Sequence, residues 1–514
     1  MTDSVTLPEF PDEVVTHARL RYVELADYSA GSSAPGALGT VALITLDNGL
    51  DHTRPSTFGP ASLRSLAAAL DDVEGRDDLR AVCVTGKPFI FSVGADLKVF
   101  RQLSSREHVV EIGRLGHSVF RRLGELRVPS FAFINGAAMG GGLEVALHCT
   151  YRTVSSGAAA LALPEVFLGL IPGWGGAYLL PHLIGPDRAV TVILENPLSA
   201  NTMLRPKDAL KLGVVDAMFE PADFIEQSLR WVSHVVSGQQ LVDRPPPASV
   251  EEWDQAMARG RMLSDAKTQG VPPAPYRALA LLTAARTSNR DTAFAAEDEA
   301  LADLTISPEL AASLYAFDLV QKRAKHPVGV PDRGFAQQIT KVGIVGAGLM
   351  ASQLALLVAR RLHVPVHLLD LDDERAARGL RGIRAEIERL ETKRRVSNDE
   401  ANRLRSLVTS GTDIAAFADA DLVVEAVFED LNVKLQVFAD LETVVSSKCV
   451  LATNTSALSV TEIAGKLRHP ERVVGIHFFN PVAVMQLVEV ACGKGSNDAA
   501  VATAFALAKE LKKS

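Results

Sequence analysis

The chain has 514 residues, 47% of them hydrophobic, a length and composition that suit two or three domains with sizeable cores. Acidic residues outnumber basic ones by 61 to 53, and the resulting net charge of −8 argues against a general nucleic-acid-binding protein. The cysteines are widely spaced and lack CxxC or zinc-ligand spacing, which predicts reduced thiols and no metal site (Cys83, Cys149, Cys449 and Cys492). The N-terminus has no secretory-signal pattern and no run approaches ~18 apolar residues, so we expect a cytoplasmic protein that is not an integral membrane protein.

Strand-like and helix-like segments alternate along residues 15–235 and predict a first α/β domain. The strands are expected in VALITLD, AVCVTG and PSFAFING, and the helices in ASLRSLAAALDDVE and in the apolar run after Gly142. The composition changes at RPPPAS, and helical patterns follow, so residues 236–338 are predicted to be a linker with helices. A second α/β domain is predicted over residues 339–514.

Two glycine turns of the first domain lie beside acidic residues. Gly140, Gly141 and Gly142 precede the apolar helix, so their N–H groups are expected to point at a ligand oxygen, aided by the helix N-terminus. A second turn within FSVGADLKVF supplies another N–H donor at Ala95. Two donors from separate loops predict an oxyanion hole. Taken singly, Glu144 could cap a helix and Glu165 could be a surface acid, whereas together beside these turns they indicate acid–base chemistry.

The second domain opens with a strand, a glycine turn, a helix and a further strand in KVGIVGAGLMASQLALLVARRLHVPVHLLD. Gly346 and Gly348 give the spacing GxGxxA, which is typical of a dinucleotide-binding turn. Asp370 follows the second strand, where an acid accepts the ribose hydroxyls and repels a 2′-phosphate. The pattern therefore predicts a Rossmann domain that binds NAD in preference to NADP.

The blocks GADLK, NGAAMGGGLEVA and LPEVFLGLIPGWGG resemble the enoyl-CoA hydratase/isomerase (crotonase) superfamily over roughly the first 230 residues. The resemblance implies a crotonase-like fold, a ββα spiral, and an oxyanion hole for a thioester at Ala95 and Gly141. It assigns Glu144 and Glu165 to the two carboxylates that transfer protons in the hydratases. One of these carboxylates activates water, and the other handles the proton at C2 of the substrate. Because relatives with other activities commonly alter one or both carboxylates, the presence of both favours hydration.

The blocks DADLVVEAVFEDLNVK, LATNTSALSV and GIHFFNPVAVMQLVEV resemble the NAD domain of the L-3-hydroxyacyl-CoA dehydrogenases. Alone, His477 could be a core histidine, but the resemblance implies that it is the catalytic base and that Glu489 orients its ring. It also implies substrate contacts, which are Asp318, Ser456 and Asn480. The implied cofactor contacts are Gly346, Gly348, Met350, Asp370, Val427, Phe428, Glu429, Lys434, Ser456 and Asn480.

The two modules in this order resemble the multifunctional fatty-acid oxidation α subunits. That resemblance implies hydration of trans-2-enoyl-CoA followed by NAD-dependent oxidation of (S)-3-hydroxyacyl-CoA, an oligomer, and a thiolase subunit as a partner. Further helical domains follow in that family, whereas this sequence stops at AFALAKELKKS, so we expect a dehydrogenase half without its C-terminal domain. Two alternatives stay open, which are a hydratase/isomerase with an inactive or incomplete dehydrogenase half and a non-catalytic subunit that binds NAD and acyl-CoA.

Overall fold

The computed structural model describes residues 7–514 except 9, 26–38, 104 and 321–326, and the side chains of residues 98, 100 and 101. It divides into two compact units, Met1–Phe317 and Asp318–Ser514. Both are built from helices and mainly parallel sheets, so the predicted α/β class is confirmed. No helix within the described residues is long and apolar enough to cross a membrane.

The first unit contains two sheets. Its strands are β1 (His17–Glu24), β2 (Thr40–Asp47), β3 (Leu79–Gly86), β4 (Phe89–Val93), β5 (Ser130–Ile134), β6 (Gly136–Met139), β7 (Tyr151–Ser155), β8 (Leu161–Ala162) and β9 (Ala217–Phe219). The larger sheet has the order β1-β2-β3-β5-β7-β9 and is parallel except for the β1–β2 pair, and a small parallel sheet has the order β4-β6-β8. Strands β3 and β5 are almost fully buried, as expected for parallel strands covered on both faces.

Helices cover these sheets and extend beyond them. They are α1 (Pro60–Glu74), α2 (Leu97–Gln102), α3 (Arg106–Phe120), α4 (Arg122–Glu125), α5 (Gly141–His148), α6 (Glu165–Leu168), α7 (Gly176–Ile184), α8 (Pro186–Val190), α9 (Asn196–Leu198), α10 (Pro206–Leu212), α11 (Phe224–Val236), α12 (Val250–Thr268), α13 (Ala274–Ala285), α14 (Arg290–Thr305) and α15 (Pro308–Asp318). A π-helical turn, Thr191–Glu195, joins α8 to α9, and a 3₁₀ turn, Pro221–Asp223, precedes α11.

The helices α12 to α14 pack against the first unit and complete its core. Helix α12 begins at a capping box in which Ser249 and Glu252 satisfy each other's backbone N–H groups. Helix α14 packs along α3, and its buried Phe294 stacks on His117 of that helix. The segment 236–338 is predicted from sequence to be a linker with helices. In the structure its helices up to Phe317 are packed as part of the first unit.

The second unit is a doubly wound sheet. Its strands are β10 (Val342–Val345), β11 (Val366–Leu369), β12 (Val408–Gly411), β13 (Leu422–Glu425), β14 (Val450–Thr453), β15 (Val473–Phe478) and β16 (Val488–Cys492). Its helices are α16 (Leu349–Leu362), α17 (Asp373–Thr392), α18 (Asn398–Leu407), α19 (Leu431–Val444), α20 (Val460–Ala464) and α21 (Asp498–Glu510). The order β12-β11-β10-β13-β14-β15-β16, parallel except for β16, reverses direction between β10 and β13. Ligands of such sheets bind at the carboxyl ends of the strands beside this switch point.

Candidate active sites

Glu144 is buried in the first unit and held by the backbone of a distant turn. Its side chain projects from the first turn of α5, and only 1% of the residue is exposed. Oε1 accepts hydrogen bonds from the N–H groups of Trp174 and Gly176, each at 2.8 Å. Glu144 makes no capping hydrogen bond to its own helix, and its Oε2 has no hydrogen-bond partner within the described residues. Oε2 is thus left for a substrate or a water molecule.

Glu165 lies next to the glycine turn at the start of α5. It opens the short helix α6, and its Oε1 is 2.6 Å from the position that a Cβ on Gly140 would occupy. Its Oε2 is buried without a hydrogen-bond partner among the described residues. An unsatisfied buried carboxylate oxygen is rare in folded proteins and calls for a functional explanation.

Both glutamates hold protons more tightly than exposed carboxylates do. Burial raises the pKa of Glu144 to about 7, the charge of Glu297 adds to the rise, and the two N–H donors oppose it. Burial also raises the pKa of Glu165 well above its usual range, and the charge of Glu144 contributes. Since two close carboxylates do not ionise independently, the pair retains a proton near neutrality, as acid–base catalysis requires.

The two predicted oxyanion donors lie on loops that touch. A Cβ on Gly141 would be 3.7 Å from the carbonyl carbon of Gly94, which is bonded to the nitrogen of Ala95. Phe58 pairs with the Ala95 loop, donating its N–H to Gly94 and accepting from Asp96, each at 2.9 Å. Within the described residues, the N–H groups of Ala95 and Gly141 have no acceptor. The pairing fixes the Ala95 loop and leaves both donors for a ligand oxygen.

Position 140 requires a glycine, both because of its backbone angle and because Glu165 lies next to it. Its φ of 53° lies in the left-handed region, and an added Cβ would approach Glu165 to 2.6 Å. For Gly140→Ala we expect an unfolding free energy lower by about 1–2 kcal/mol from backbone strain. Because the methyl group also displaces the Glu165 carboxylate, the predicted enoyl-CoA hydration should fall at least ~10-fold. Thermal unfolding and steady-state hydration kinetics measure the two effects.

The matched control for Gly140→Ala is Gly185→Ala. Gly185 has a φ of 88°, and a Cβ there would meet nothing within 4 Å. This variant should lose stability through strain and keep its hydration rate. Equal hydration rates in the two variants would show that the contact with Glu165 is unimportant.

The glycine turn of the second unit has the geometry of a dinucleotide-binding loop. Gly346 has a φ of 106°, and a Cβ on it would lie 2.7 Å from the carbonyl oxygen of Ala426. A Cβ on Gly348 would meet no atom of the described residues within 4 Å, so the N-terminus of α16 is open on that side. In the part of the chain that the structure describes, no side chain caps this 14-residue helix. The free N–H groups and the helix dipole suit a pyrophosphate.

Asp370 binds the same turn. It follows β11, and its Oδ2 accepts the N–H of Ala347 at 2.8 Å, while Oδ1 accepts the N–H of Leu371 at 2.7 Å. Each carboxylate oxygen has lone pairs beyond these bonds, so ribose hydroxyls can also be bound. The residues present fit the predicted NAD.

A buried ion-pair network supports the segment predicted to bind the cofactor. Lys434 is 1% exposed, and its Nζ lies 2.7 and 2.9 Å from the two carboxylate oxygens of Glu425, which is fully buried. The same ammonium is 3.3 Å from Glu429. Lys434 thus contacts two carboxylates. Glu425 is not among the residues predicted from sequence, although an acid within the apolar run LVVEAV was a signal for a buried charge.

Glu429 is held beside Ser456. It accepts from the Thr455 hydroxyl at 2.6 Å and from the Ser456 N–H at 2.8 Å. Partial burial raises the pKa of Glu429, but these hydrogen bonds and the Lys434 charge outweigh that effect and lower it to about 2. The loops after β13 and β14 are thereby joined at the carboxyl edge of the sheet.

Replacing Lys434 should destabilise the second unit strongly. In Lys434→Met, the fully buried Glu425 loses its cation, which costs about 3–5 kcal/mol of unfolding free energy. All three tryptophans, Trp174, Trp231 and Trp253, are in the first unit, so their fluorescence reports only on that unit. Urea unfolding followed by far-ultraviolet circular dichroism should show the lower stability of the second unit. The urea midpoint of the tryptophan fluorescence transition should not change.

Two further variants test the cause of that loss. Lys448→Met removes an exposed lysine from the same unit and should change stability by less than about 0.5 kcal/mol. The double variant Glu425→Gln/Lys434→Met removes both charges and should recover part of the loss. A double variant no more stable than Lys434→Met would contradict the unpaired-charge explanation.

His477 and Glu489 face each other across the antiparallel pair β15–β16. They are direct partners in the strand register, and Nδ1 of His477 lies 2.8 Å from Oε2 of Glu489. If Nδ1 donates to this carboxylate, Nε2 carries the lone pair and is the basic nitrogen. Nε2 has no hydrogen-bond partner within the described residues. The N–H of Phe478 donates to Asn454 at 2.8 Å and holds the strand beside the Ser456 loop.

The remaining predicted residues are placed as follows. Asn480 follows β15 and is exposed. Phe428, in the loop after β13, is 77% exposed, and the neighbouring Val427 donates its N–H to Glu425. Met350 lies in the first turn of α16. Asp318 is the last residue of α15 and the first of the second unit. All but Asp318 are thus at the carboxyl edge of the second unit's sheet.

Comparisons with known proteins agree with this arrangement. Residues 37–257 match the enoyl-CoA hydratase/isomerase family, and residues 341–514 match the NAD binding domain of 3-hydroxyacyl-CoA dehydrogenase. A fatty acid oxidation complex subunit alpha of Idiomarina loihiensis is 34% identical over 468 residues, which are 89% of this chain and 64% of that protein. The same subunit of Shewanella amazonensis is 31% identical over 483 residues, which are 92% and 67%. The solved structure of M. tuberculosis FadB2 is 37% identical and covers 35% of this chain and 63% of that chain, with a TM-score of 0.34.

The fold and the matches define a two-part chain, with an enoyl-CoA hydratase/isomerase module followed by a 3-hydroxyacyl-CoA dehydrogenase NAD-binding module. The chain belongs to the fatty acid oxidation complex subunit alpha family, and the predicted resemblance is confirmed. It spans about two thirds of the length of the curated relatives, 64% and 67% for the two above.

Proposed function

We propose that the first unit hydrates trans-2-enoyl-CoA to 3-hydroxyacyl-CoA. The observation that supports this most is the pair Glu144 and Glu165, two buried carboxylates with raised pKa values beside a glycine turn. One carboxylate takes a proton from water as the water oxygen bonds to C3, and the other delivers a proton to C2. The N–H groups of Ala95 and Gly141 stabilise the negative charge that develops on the thioester oxygen.

The second unit is proposed to oxidise the (S)-3-hydroxyacyl-CoA product. NAD bound at the Gly346 turn supplies a hydride acceptor. His477 Nε2 takes the proton of the 3-hydroxyl group, and Glu489 stabilises the imidazolium that forms. Ser456, Asn480 and Asp318 are proposed substrate contacts, and the loop that Glu429 joins to Ser456 presents the cofactor surface.

The proposal extends to the setting of the enzyme. All four cysteines are unpaired, and three of them are buried, which suits a reducing cytoplasm. An oligomer and a thiolase subunit that cleaves the 3-oxoacyl-CoA product are proposed from the family resemblance. Size-exclusion chromatography of the chain, with and without a candidate thiolase, measures both.

The experiment is to supply the purified chain with trans-2-butenoyl-CoA and, separately, with L-3-hydroxybutyryl-CoA and NAD⁺. Hydration together with NADH formation is the expected result. Hydration without NADH would overturn the proposal for the second unit and favour a hydratase with an inactive dehydrogenase half. Neither reaction from a folded protein that binds both ligands in calorimetry would favour a non-catalytic subunit.

A further inference from the structure

We propose that Glu297 is a positioning residue of the hydration site. This inference rests on the hydratase function proposed above and assigns a part in it to α14. That helix lies beyond residues 37–257, the segment that matches the enoyl-CoA hydratase/isomerase family. Glu297 is 1% exposed and reaches the turn Gly173–Gly176, whose N–H groups hold Glu144.

The turn is shared between the two glutamates. Glu144 accepts the N–H groups of Trp174 and Gly176, whereas Glu297 accepts those of Gly175, at 2.6 Å, and Tyr178, at 3.1 Å. Consecutive N–H groups thus point alternately to the two carboxylates. Gly175 has a φ of 102°, in the left-handed region that favours glycine. Without the Glu297 carboxylate, its two donors lose their buried acceptor and the turn loses its anchor on α14.

Glu297 is in turn fixed by His117. Nε2 of His117 lies 3.2 Å from Glu297, and Nδ1 lies 2.9 Å from Asp298. Burial lowers the pKa of His117, but the hydrogen bonds with Asp298 and Glu297 outweigh that effect and raise it to about 9. Its ring also stacks on Phe294, with centroids 4.2 Å apart. A buried imidazolium therefore connects α3 to α14 and orients the Glu297 side chain.

Close packing of α3 against α14 and a further hydrogen bond support this arrangement. A Cβ on Gly113 would lie 2.3 Å from Asp298, so α3 and α14 approach at a position where only glycine fits. His148 donates from Nε2 to the carbonyl oxygen of Trp174 at 2.9 Å, and burial lowers the pKa of His148 to about 3, so its ring is neutral. The turn thus has three buried anchors, which are the side chains of Glu144 and His148 on α5 and of Glu297 on α14.

Among the described residues, every hydrogen-bond partner of Glu297 is a donor. Burial raises the pKa of Glu297, while the His117 imidazolium and the N–H of Gly175 counter that rise. In Glu297→Gln, an amide NH₂ replaces one accepting oxygen and faces an N–H group. The turn then shifts, and Glu144 with it. A displacement of up to about 1 Å at a reacting group costs about 10- to 100-fold in kcat.

The test compares two changes at Glu297. Glu297→Gln keeps the length of the side chain and removes its charge. Glu297→Asp keeps the charge but shortens the side chain by one methylene group, which moves the carboxylate away from the turn. We expect kcat for trans-2-butenoyl-CoA hydration to fall about 10- to 100-fold in both, with KM changed less than about twofold, because neither change touches the bound thioester. Glu299→Gln on the same helix, where Glu299 is exposed and pairs with Arg106, is the control and should keep the parent kcat.

The pH profile separates positioning from general loss of structure. The titratable groups that act on Glu144 are Glu165, Glu297 and His117, while His148 stays neutral. Removing the Glu297 charge should lower the pH at which the acidic limb of kcat falls, since a negative neighbour no longer raises the pKa of Glu144. Glu297→Asp should leave that limb unmoved.

The outcomes are distinct. A parent that does not hydrate the substrate overturns the proposed function itself. An active parent, with folded Glu297→Gln and Glu297→Asp variants that retain its kcat and pH profile, overturns the role of Glu297. If Glu297→Gln does not fold, Glu297→Asp decides alone, and parental kcat in that variant overturns the role.

Discussion

Glu144→Gln should abolish most of the proposed enoyl-CoA hydration without weakening the fold. The amide oxygen can still accept the N–H groups of Trp174 and Gly176, so the geometry of the turn is kept. The side chain can no longer exchange a proton, and general acid–base catalysis contributes typically 10²–10⁴-fold. We expect kcat to fall by about 10³-fold, measured by steady-state hydration of trans-2-butenoyl-CoA.

Thermal unfolding distinguishes lost chemistry from lost structure. Glu144 is buried near Glu165 and Glu297. The charge of Glu297 raises the pKa of Glu144, and the charges of Glu144 and Glu297 raise the pKa of Glu165. A neutral glutamine removes that repulsion, so the melting temperature should stay the same or rise. Glu107→Gln, which alters an exposed acid in the first turn of α3, is the matched control and should keep the parent rate. Parental hydration by Glu144→Gln would contradict the assignment of Glu144 as a proton-transfer group.

The parent should show a pH dependence of the same origin. The carboxyl group of Glu144 is protonated below its raised pKa of about 7 and loses its proton as the pH rises through that value. Because the reaction needs one carboxyl protonated and the other ionised, kcat should be greatest near neutrality and fall on both sides. Glu144→Gln should remove this bell shape from the residual activity.

Sequence patterns predicted the local elements of both units well. The strand KVGIV, the glycine turn and the acid after VHLLD are close in the chain, and their arrangement follows from backbone rules that apply to any Rossmann unit. The cross-strand pair His477 and Glu489 could be paired only through a family resemblance, since twelve residues separate them in sequence. The structure shows them as register partners.

Long-range contacts were beyond sequence reasoning. Helix α14 lacks a clear apolar stripe because it is buried on several sides, and no pattern in AFAAEDEALADL distinguishes Glu297 from its acidic neighbours. The contact of Glu297 with Gly175 joins residues 122 positions apart. Equally, Glu425 and Lys434 are identified as a buried pair only once β13 and α19 are packed together. These residues act through tertiary contacts, which cannot be predicted from composition or periodicity.

The second large effect is expected at His477, where a glutamine should stop NAD-dependent oxidation. The imidazole is the group whose Nε2 is free within the described residues while Nδ1 faces Glu489. Glutamine cannot accept the hydroxyl proton near neutral pH, so kcat for L-3-hydroxybutyryl-CoA should fall about 10²–10⁴-fold. NADH formation measures the loss. NAD affinity, measured by calorimetry, should stay within about twofold, since the Gly346 turn and Asp370 are untouched.

Two companion variants make the His477 result specific. His469→Gln replaces an exposed histidine that pairs with Glu471, and it should keep parental NADH formation. Glu489→Gln leaves the base in place but removes the carboxylate beside Nδ1, so a smaller loss of kcat is expected. NADH formation by His477→Gln at the parent rate would exclude His477 as the base. A parent that binds NAD and hydrates its substrate yet forms no NADH would mean that the His477–Glu489 pair, though assembled, is not sufficient for oxidation.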